Sequence, residues 1–486
     1  MTRPQFEPVH VGLFIGGEWR PAGRGIEVRD PARYDELVGT ATRATVADVD
    51  DAVAAAKAAQ PGWAKIGFKE RAAVLAQVLD RLDHDLEARA ILYVRENGRT
   101  LAEAHGELRA IGANQRLTLE LADKLEEGRA SSFDRGTTLV RHVPFGVVVS
   151  IVPWNAPVTL AMLQVIPALL AGNSVVLKPP ESCPLTLIRT IAFFSDLLPP
   201  GTLNVVTGLP AEIGERLTTH PDVGKIGFTG SVKSAQHIMA KAAGTIKGVT
   251  LELGGNDPAI VLADADLSEA TIGKMVAGIF QCSGQVCMAI KRIYVADEIR
   301  DQFIDVFRRV ADRIVVGHGL ADGTSMGPMH TQAGVDRAAS LLADSKARGA
   351  EIVRLGSVDI SADFSRGYFV QPAMVTNLSD DSLLMADEQF CPVIPISGFS
   401  DIDEVVRRSN DTHFGLGASV WGRDVGRAAD VAKRLEAGTV FVNSHGISSI
   451  NRRAPYGGIK QSGIGRKAAL EGISEYLQLQ TLTIAG

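Results

Sequence analysis

Gly146-Val147-Val148-Val149-Ser150-Ile151-Val152-Pro153-Trp154-Asn155, or GVVVSIVPWN, is a β-branched apolar run without alternation that stops at a proline. A strand with one wet face alternates polar and apolar residues. An uninterrupted run fits a strand covered on both faces, as in a parallel sheet flanked by helices. The pattern recurs at Ser174 to Leu177 (SVVL), Leu203 to Val206 (LNVV) and Lys225 to Phe228 (KIGF). Each run is closed by Gly, Pro or a polar turn and followed by a helical pattern. This βαβ rhythm predicts an α/β fold with a doubly wound, Rossmann-like domain.

Working outward, Thr45 with an acid at Asp48 reads as a helix N-cap ahead of an Ala-rich run to Gln60. Helical patterns also fit Glu70 to Ala90 and roughly Ala102 to Lys124. A second α/β set begins near Leu253, with strands expected at Ala259 to Leu262, Lys291 to Val295 and Val440 to Val442. Glu126 to Val143 breaks the rhythm, and the tail after Glu471 reads as a late strand; the two are candidates to pair as an arm. No internal repeat appears.

The 486 residues exceed one ordinary core, so two or three domains are expected. A net charge of −6 and the lack of long Lys/Arg clusters argue against a nucleic-acid partner. Ten scattered histidines without metal-ligand spacing argue against a metal site. The N-terminal segment has no continuous apolar core and so does not read as a signal peptide. The longest apolar run, Val158 to Gly172, is broken by Gln164 and Pro167, which excludes a membrane span of ~20 residues. Cys183, Cys282, Cys287 and Cys391 show no disulfide spacing, which points to a reducing cytoplasm.

No G-x-G-x-x-G follows a suitable strand and no P-loop is present, so any cofactor must be held otherwise. Three stretches close three of these four predicted strands, where ligands bind in such sheets. They are Pro153-Trp154-Asn155, Lys178-Pro179-Pro180-Glu181 and Phe228-Thr229-Gly230-Ser231. Ser231 at a helix start suits a phosphate, and Lys178 with Glu181 suits ribose hydroxyls. Each alone reads equally well as a capped turn. Glu252-Leu253-Gly254-Gly255 places a carboxylate after an apolar segment, where a raised pKa would make it a general base; a strand-end Glu held by backbone N–H groups is the plainer alternative. Free cysteines are usually buried packing residues. Cys287 differs in its flanks, Gly284-Gln285-Val286 before it and small residues after it, as a nucleophile on a tight loop would.

Together these stretches resemble the aldehyde dehydrogenase superfamily. PWN, KPPE, FTGS, ELGG, GQVC, EQF and PYGG-x-K-x-S-G occur in that family's order, from Ile15 to Arg466. The resemblance implies an NAD-binding domain over 1–125 and 144–253, a catalytic domain over 254–455, and an oligomerisation arm from 126–143 and 468–486. It implies a homodimer or homotetramer. It also implies that Cys287 attacks an aldehyde, that the Asn155 side chain and the Cys287 backbone N–H stabilise the oxyanion, and that Glu252 activates the water that hydrolyses a thioester. Ile151 and Trp154 would line the cofactor cleft with Phe228, Gly230 and Leu253. Lys178 and Glu181 would face the adenosine ribose, Ser231 the pyrophosphate, and Glu388 with Phe390 the nicotinamide ribose. Glu181 would repel a 2′-phosphate, favouring NAD over NADP.

Three positions depart from the family: Ala235 and Cys391 replace glycines, and Lys467 stands where many members carry a glutamate. The small apolar stretch after Asn155, and the lack of an arginine beside Cys287, lead to the expectation of a roomy, neutral pocket for aromatic or medium-chain aliphatic aldehydes. Arg292 reads as structural, and His445 as a surface-loop residue, with a place at the mouth of the pocket as the alternative. The rivals are a CoA-acylating relative, a catalytically silent NAD-binding relative, and a cofactor-free cysteine hydrolase. Retention of Cys287, Asn155 and Glu252 argues against the first two, and the third lacks a recognisable partner histidine.

Overall fold

The computed structural model describes residues 6–485 except 22, 24, 127 and 128. The first five residues, Glu127-Gly128 within the expected arm, and Gly486 lie outside the described residues. Eight strands form one sheet in the order Gly463–Ile464, Gly248–Glu252, Val223–Thr229, Val147–Ile151, Ser174–Lys178, Leu203–Val205, Phe14–Ile15 and Glu18–Trp19. The middle five are parallel. The chain steps from Val147–Ile151 outward to Leu203–Val205, then returns to the other side as Val223–Thr229. The strand order therefore reverses between Val147–Ile151 and Val223–Thr229, where a doubly wound sheet opens a ligand crevice at its carboxyl edge.

The uninterrupted apolar runs have a direct cause. Val148, Val175 and Leu177 belong to one apolar cluster, while Val147, Val149 and Val176 belong to another on the opposite face. Both faces are covered, so successive side chains must all be apolar. Gln164, inside the apolar helix Pro157–Leu170, bridges two strands: its Oε1 accepts from Ser150 Oγ (2.8 Å) and its Nε2 donates to Thr229 Oγ1 (3.1 Å).

A second sheet has seven strands in the order Glu351–Arg354, Ala373–Thr376, Val393–Phe399, Ile290–Ala296, Asp257–Val261, Gly417–Trp421 and Thr439–Val442. All are parallel except Glu351–Arg354. Its faces are again both covered, with Ala259 and Val261 on one side and Ile260 and Leu262 on the other. Leu253 to Asn256 joins the carboxyl end of Gly248–Glu252 directly to the amino end of Asp257–Val261. Cys287 precedes Ile290–Ala296 and so enters at that same junction.

A third, antiparallel sheet joins Arg129–Phe133, Gly136–Pro144 and Leu477–Ala485, in register from Leu477 opposite Pro144 to Ala485 opposite Gly136. A small sheet of Val9–Val11, Arg33–Thr42 and Gly25–Asp30 was not foreseen from the sequence. Thr45 and Asp48 form the expected reciprocal cap, and the helix runs to Lys65, beyond Gln60. The helix expected over Glu70 to Ala90 is instead two, Gly67–Asp80 and Leu86–Asn97. Asp85 is left-handed (φ 57°), and the buried Arg89 guanidinium takes the Leu82 and His84 carbonyls that the break frees. Among the described residues no helix is long and apolar enough to cross a membrane.

Candidate active site

The loop before Cys287 is built on three successive left-handed residues: Cys282 (φ 50°), Ser283 (φ 56°) and Gly284 (φ 75°). Two of them are not glycine, and such positions persist only when their surroundings fix them. Here Cys282 N–H donates to Glu103 Oε1 (2.7 Å), Ser283 Oγ donates to the Gly327 carbonyl (2.8 Å), and Gln285 Nε2 donates to the Cys282 carbonyl (2.8 Å). A Cβ on Gly284 would stand 2.6 Å from the Cys391 carbonyl oxygen, so only glycine fits. Beyond the loop, the buried Lys291 ammonium donates to the Cys287 carbonyl (2.8 Å) and the Gly255 carbonyl (3.3 Å) and pairs with Glu388 Oε1 (3.4 Å).

Cys287 packs half-buried against a cluster of Leu163, Met288, Leu416, Phe441 and Tyr456. Burial pushes its thiol up to about 12, with Lys291 opposing. The resting group is therefore the neutral thiol, and it needs a base to become a nucleophile. Asn155, from the turn after Val147–Ile151, donates through Nδ2 to the Gln285 carbonyl (3.0 Å). An amide nitrogen has two donors, so this bond ties Asn155 to the cysteine loop and uses only one of them. The turn itself is held from behind. Asn97 Nδ2 donates to the Trp154 carbonyl (2.8 Å) and Arg99 Nη2 to the Asn155 carbonyl (2.5 Å).

Glu252 ends its strand buried, and its Oε1 has no hydrogen-bond partner. The plainer reading of a carboxylate held by backbone N–H groups is not what the structure contains. Burial raises Glu252 to about 7, opposed chiefly by Lys467. Lys467 is itself buried, lowered to about 8 by desolvation, and donates to Tyr476 Oη (3.4 Å). Close glycines shape the niche: a Cβ on Gly457 would lie 2.9 Å from Glu252 Oε1.

At the switch point, Ser231 caps the helix Val232–Ala242 through Ser234 N–H (3.2 Å). Lys178 Nζ and Glu181 Oε2 lie 2.7 Å apart at the end of the next strand but one. Trp154 stacks on His330 at 4.4 Å and meets Phe390 edge-on at 5.9 Å. Glu388 Oε1 accepts from Gly255 N–H (3.1 Å) as well as pairing with Lys291. Ile151, Phe228, Gly230 and Leu253 line up with these at the sheet's carboxyl edge: Ile151 pairs with Phe228 in the ladder, and a Cβ on Gly230 would meet the Phe228 ring at 2.4 Å. Leu253 N–H is bound by the Ser462 carbonyl (2.9 Å).

The departures are accommodated by packing. Ala235 is buried among Phe228 and Ile238, and Cys391 packs in the core of the second sheet. Arg292 is structural, binding the carbonyls of Asn256, Arg408 and Ser409. His445 is a correction. It is no surface residue but is wholly buried, with Nε2 3.5 Å from Asp257 Oδ2, because the 444–449 loop folds back onto the second sheet. That loop, with Val286, Met288 and Phe280, lines a cavity of about 710 Å³ beside the cysteine. Sequence reasoning also missed Lys291, Arg99 and His330. Only Lys291 left a local signal, one of two adjacent cations, with Arg292, in an otherwise apolar strand.

A sheet switch point, a left-handed cysteine loop at the junction beside it and a buried carboxylate there make the setting in which the class of the protein can be read: an oxidoreductase. Residues 19–482 match the aldehyde dehydrogenase family, and the chain belongs to it. It is 36% identical to phenylacetaldehyde dehydrogenase from Pseudomonas fluorescens, over 97% of this chain and 95% of that one. It superposes on betaine aldehyde dehydrogenase from Staphylococcus aureus, solved in complex with NAD+, with a TM-score of 0.93 and 32% identity, over 98% and 95% of the two chains. An NADP-dependent enzyme from Escherichia coli gives a TM-score of 0.93 and 33% identity, over 98% of each chain.

Proposed function

We propose that this protein oxidises an aldehyde to the carboxylic acid, with Cys287 as nucleophile, Asn155 as oxyanion donor and Glu252 as general base. The observation that carries this reading is the convergence at one sheet junction of the cysteine loop, the Asn155 amide bonded to it, and the buried Glu252, whose Oε1 has no hydrogen-bond partner. The residues of the switch-point crevice fit a dinucleotide. Ser231 opens a helix where an anion is favoured, and the Lys178–Glu181 pair offers a donor and acceptors for sugar hydroxyls. NAD fits better than NADP, because Glu181 opposes an added phosphate. When bound, the nicotinamide supplies the acceptor for hydride.

Everything else falls to the chain. A proton leaves the Cys287 thiol for Glu252, which is poised near neutrality, as the sulfur adds to the carbonyl. The second N–H of Asn155 and the Cys287 backbone N–H then meet the developing oxyanion. Such a donor contributes about 3 kcal/mol. After oxidation to the thioester, and once Glu252 has released the thiol's proton to solvent, its carboxylate takes a proton from the attacking water and hands it to the departing sulfur, so that the acid leaves with the thiol restored. The apolar wall of Leu163, Met288, Phe441 and Tyr456 supports an aromatic or medium-chain aliphatic body for the substrate. Self-association through the exposed Leu479, Leu482 and Ile484 of the last strand would give a homodimer or homotetramer. Four free cysteines support a reducing cytoplasm. The test is NADH formation from NAD with aromatic and aliphatic aldehydes, with Cys287→Ala beside the parent. Turnover should vanish in the folded variant; turnover that persists would sink the covalent mechanism.

A further inference from the structure

The sequence after the cysteine offers no arginine for a charged substrate, but the fold supplies one from elsewhere. Arg452 and Arg453 are neighbours on the loop between Thr439–Val442 and Tyr456, and they are used differently. Arg453 is exposed and pairs with Glu120 (3.0 Å). Its N–H also binds the Asn451 side chain (3.0 Å), which fixes the turn. Arg452 makes no ion pair among the described residues. Its guanidinium carbon lies 5.4 Å from the centre of the Tyr456 ring. Its Nη1 is buried and has no acceptor in the protein. The guanidinium also reaches the Tyr456 hydroxyl, but neither that bond nor the ring contact satisfies Nη1, and an unmet buried donor is destabilising.

Tyr456 is the wall shared by this arginine and the reaction. It packs in the same apolar cluster as Met288 and Cys287. The spare donor therefore stands about one aromatic ring beyond the thiol's apolar surroundings. No side-chain carboxylate among the described residues answers it, and a guanidinium is matched best by a planar pair of oxygens.

We propose that Arg452 binds a carboxylate at the far end of the substrate, so that the preferred aldehydes are carboxylated ones with an apolar body between the two ends. This rests on the dehydrogenase reading above and revises the expectation of a neutral pocket. The aldehyde end would sit at Cys287 and Asn155, the hydrocarbon against Tyr456 and Met288, and the carboxylate at Arg452.

The test compares glutaric semialdehyde with pentanal, equal in length and differing in the terminal carboxylate, in the parent, Arg452→Met and Arg452→Lys. The ratio of kcat/KM between the two should favour the semialdehyde in the parent and fall at least tenfold in Arg452→Met, with partial recovery in Arg452→Lys. An unchanged ratio overturns the proposal while leaving the dehydrogenase reading intact. Calorimetric binding of glutarate to the parent and to Arg452→Met needs no turnover. Tenfold weaker binding in the variant supports the site, and equal or absent binding in both removes it. Absence of NADH from every aldehyde would instead count against the dehydrogenase reading, with the glutarate titration still deciding the fate of Arg452.

Discussion

Replacing Lys467 with Met should move the acid limb of the pH–rate profile upward. Lys467 is the largest charge opposing the rise of Glu252, which stands at about 7. At about 8, Lys467 is itself mostly cationic at neutral pH. Two unit charges several ångströms apart at an effective dielectric near 20 interact by about 2 kcal/mol, and 1.36 kcal/mol corresponds to about one pH unit. The sign is fixed, because removing a cation destabilises the carboxylate and raises its pKa. A rise of about one unit lowers the carboxylate fraction at pH 7 from about a half to about a tenth, so hydrolysis should slow about fivefold there and recover at alkaline pH. Methionine fills the volume, and Lys467→Arg keeps the charge as a control. Steady-state kcat between acid and alkaline pH, with pre-steady-state NADH bursts to separate the thioester-forming step, reads the effect directly. A limb that stays where it was in Lys467→Met would refute the coupling. So would an equal displacement in Lys467→Arg.

Two other perturbations separate chemistry from scaffold. Asn155→Ala should lower kcat by about 100-fold, equivalent to ~3 kcal/mol, with little change in unfolding free energy; a loss confined to KM would contradict the oxyanion role. Lys291→Met should cost about 3 kcal/mol in denaturant unfolding, because Glu388 and the carbonyls of Gly255 and Cys287 lose their shared donor inside the protein. Stability equal to the parent would show that this ammonium is not what ties the loop down.

The parts of this site that were legible in the sequence are those decided locally. GVVVSIV, SVVL and KIGF announce strands because both faces of each are covered. The turns that close them mark the crevice because a parallel sheet has one working edge. Glu252 and Cys287 stand out by their immediate neighbours. What stayed hidden depends on distant segments. Asn97 and Arg99 look like an ordinary helix end until they are seen gripping the Trp154 and Asn155 carbonyls. His330 gains its place only by stacking on Trp154. His445, in a Ser- and Gly-rich stretch, reads as solvent-facing because nothing nearby reveals Asp257. The break at Asp85 is concealed by good helix-forming residues on both sides, and only the buried Arg89 explains it.

The strand Gly463–Ile464 and the niche around Glu252 also bear on how the enzyme is made. The five parallel strands of the first sheet have all been synthesised by Glu252, yet the edge strand beside that residue, and the walls contributed by Gly457, Lys467 and Tyr476, come from the chain's final stretch. Contacts between such distant segments form late, since the loop between them must close first. During translation the amino-terminal half can fold as its strands leave the ribosome, but its glutamate remains an ordinary hydrated carboxylate. The buried, raised state of Glu252 exists only once residues 457–476 have left the ribosome and packed around it, so a chain that stops short of them keeps an ordinary carboxylate there however well its first sheet has formed.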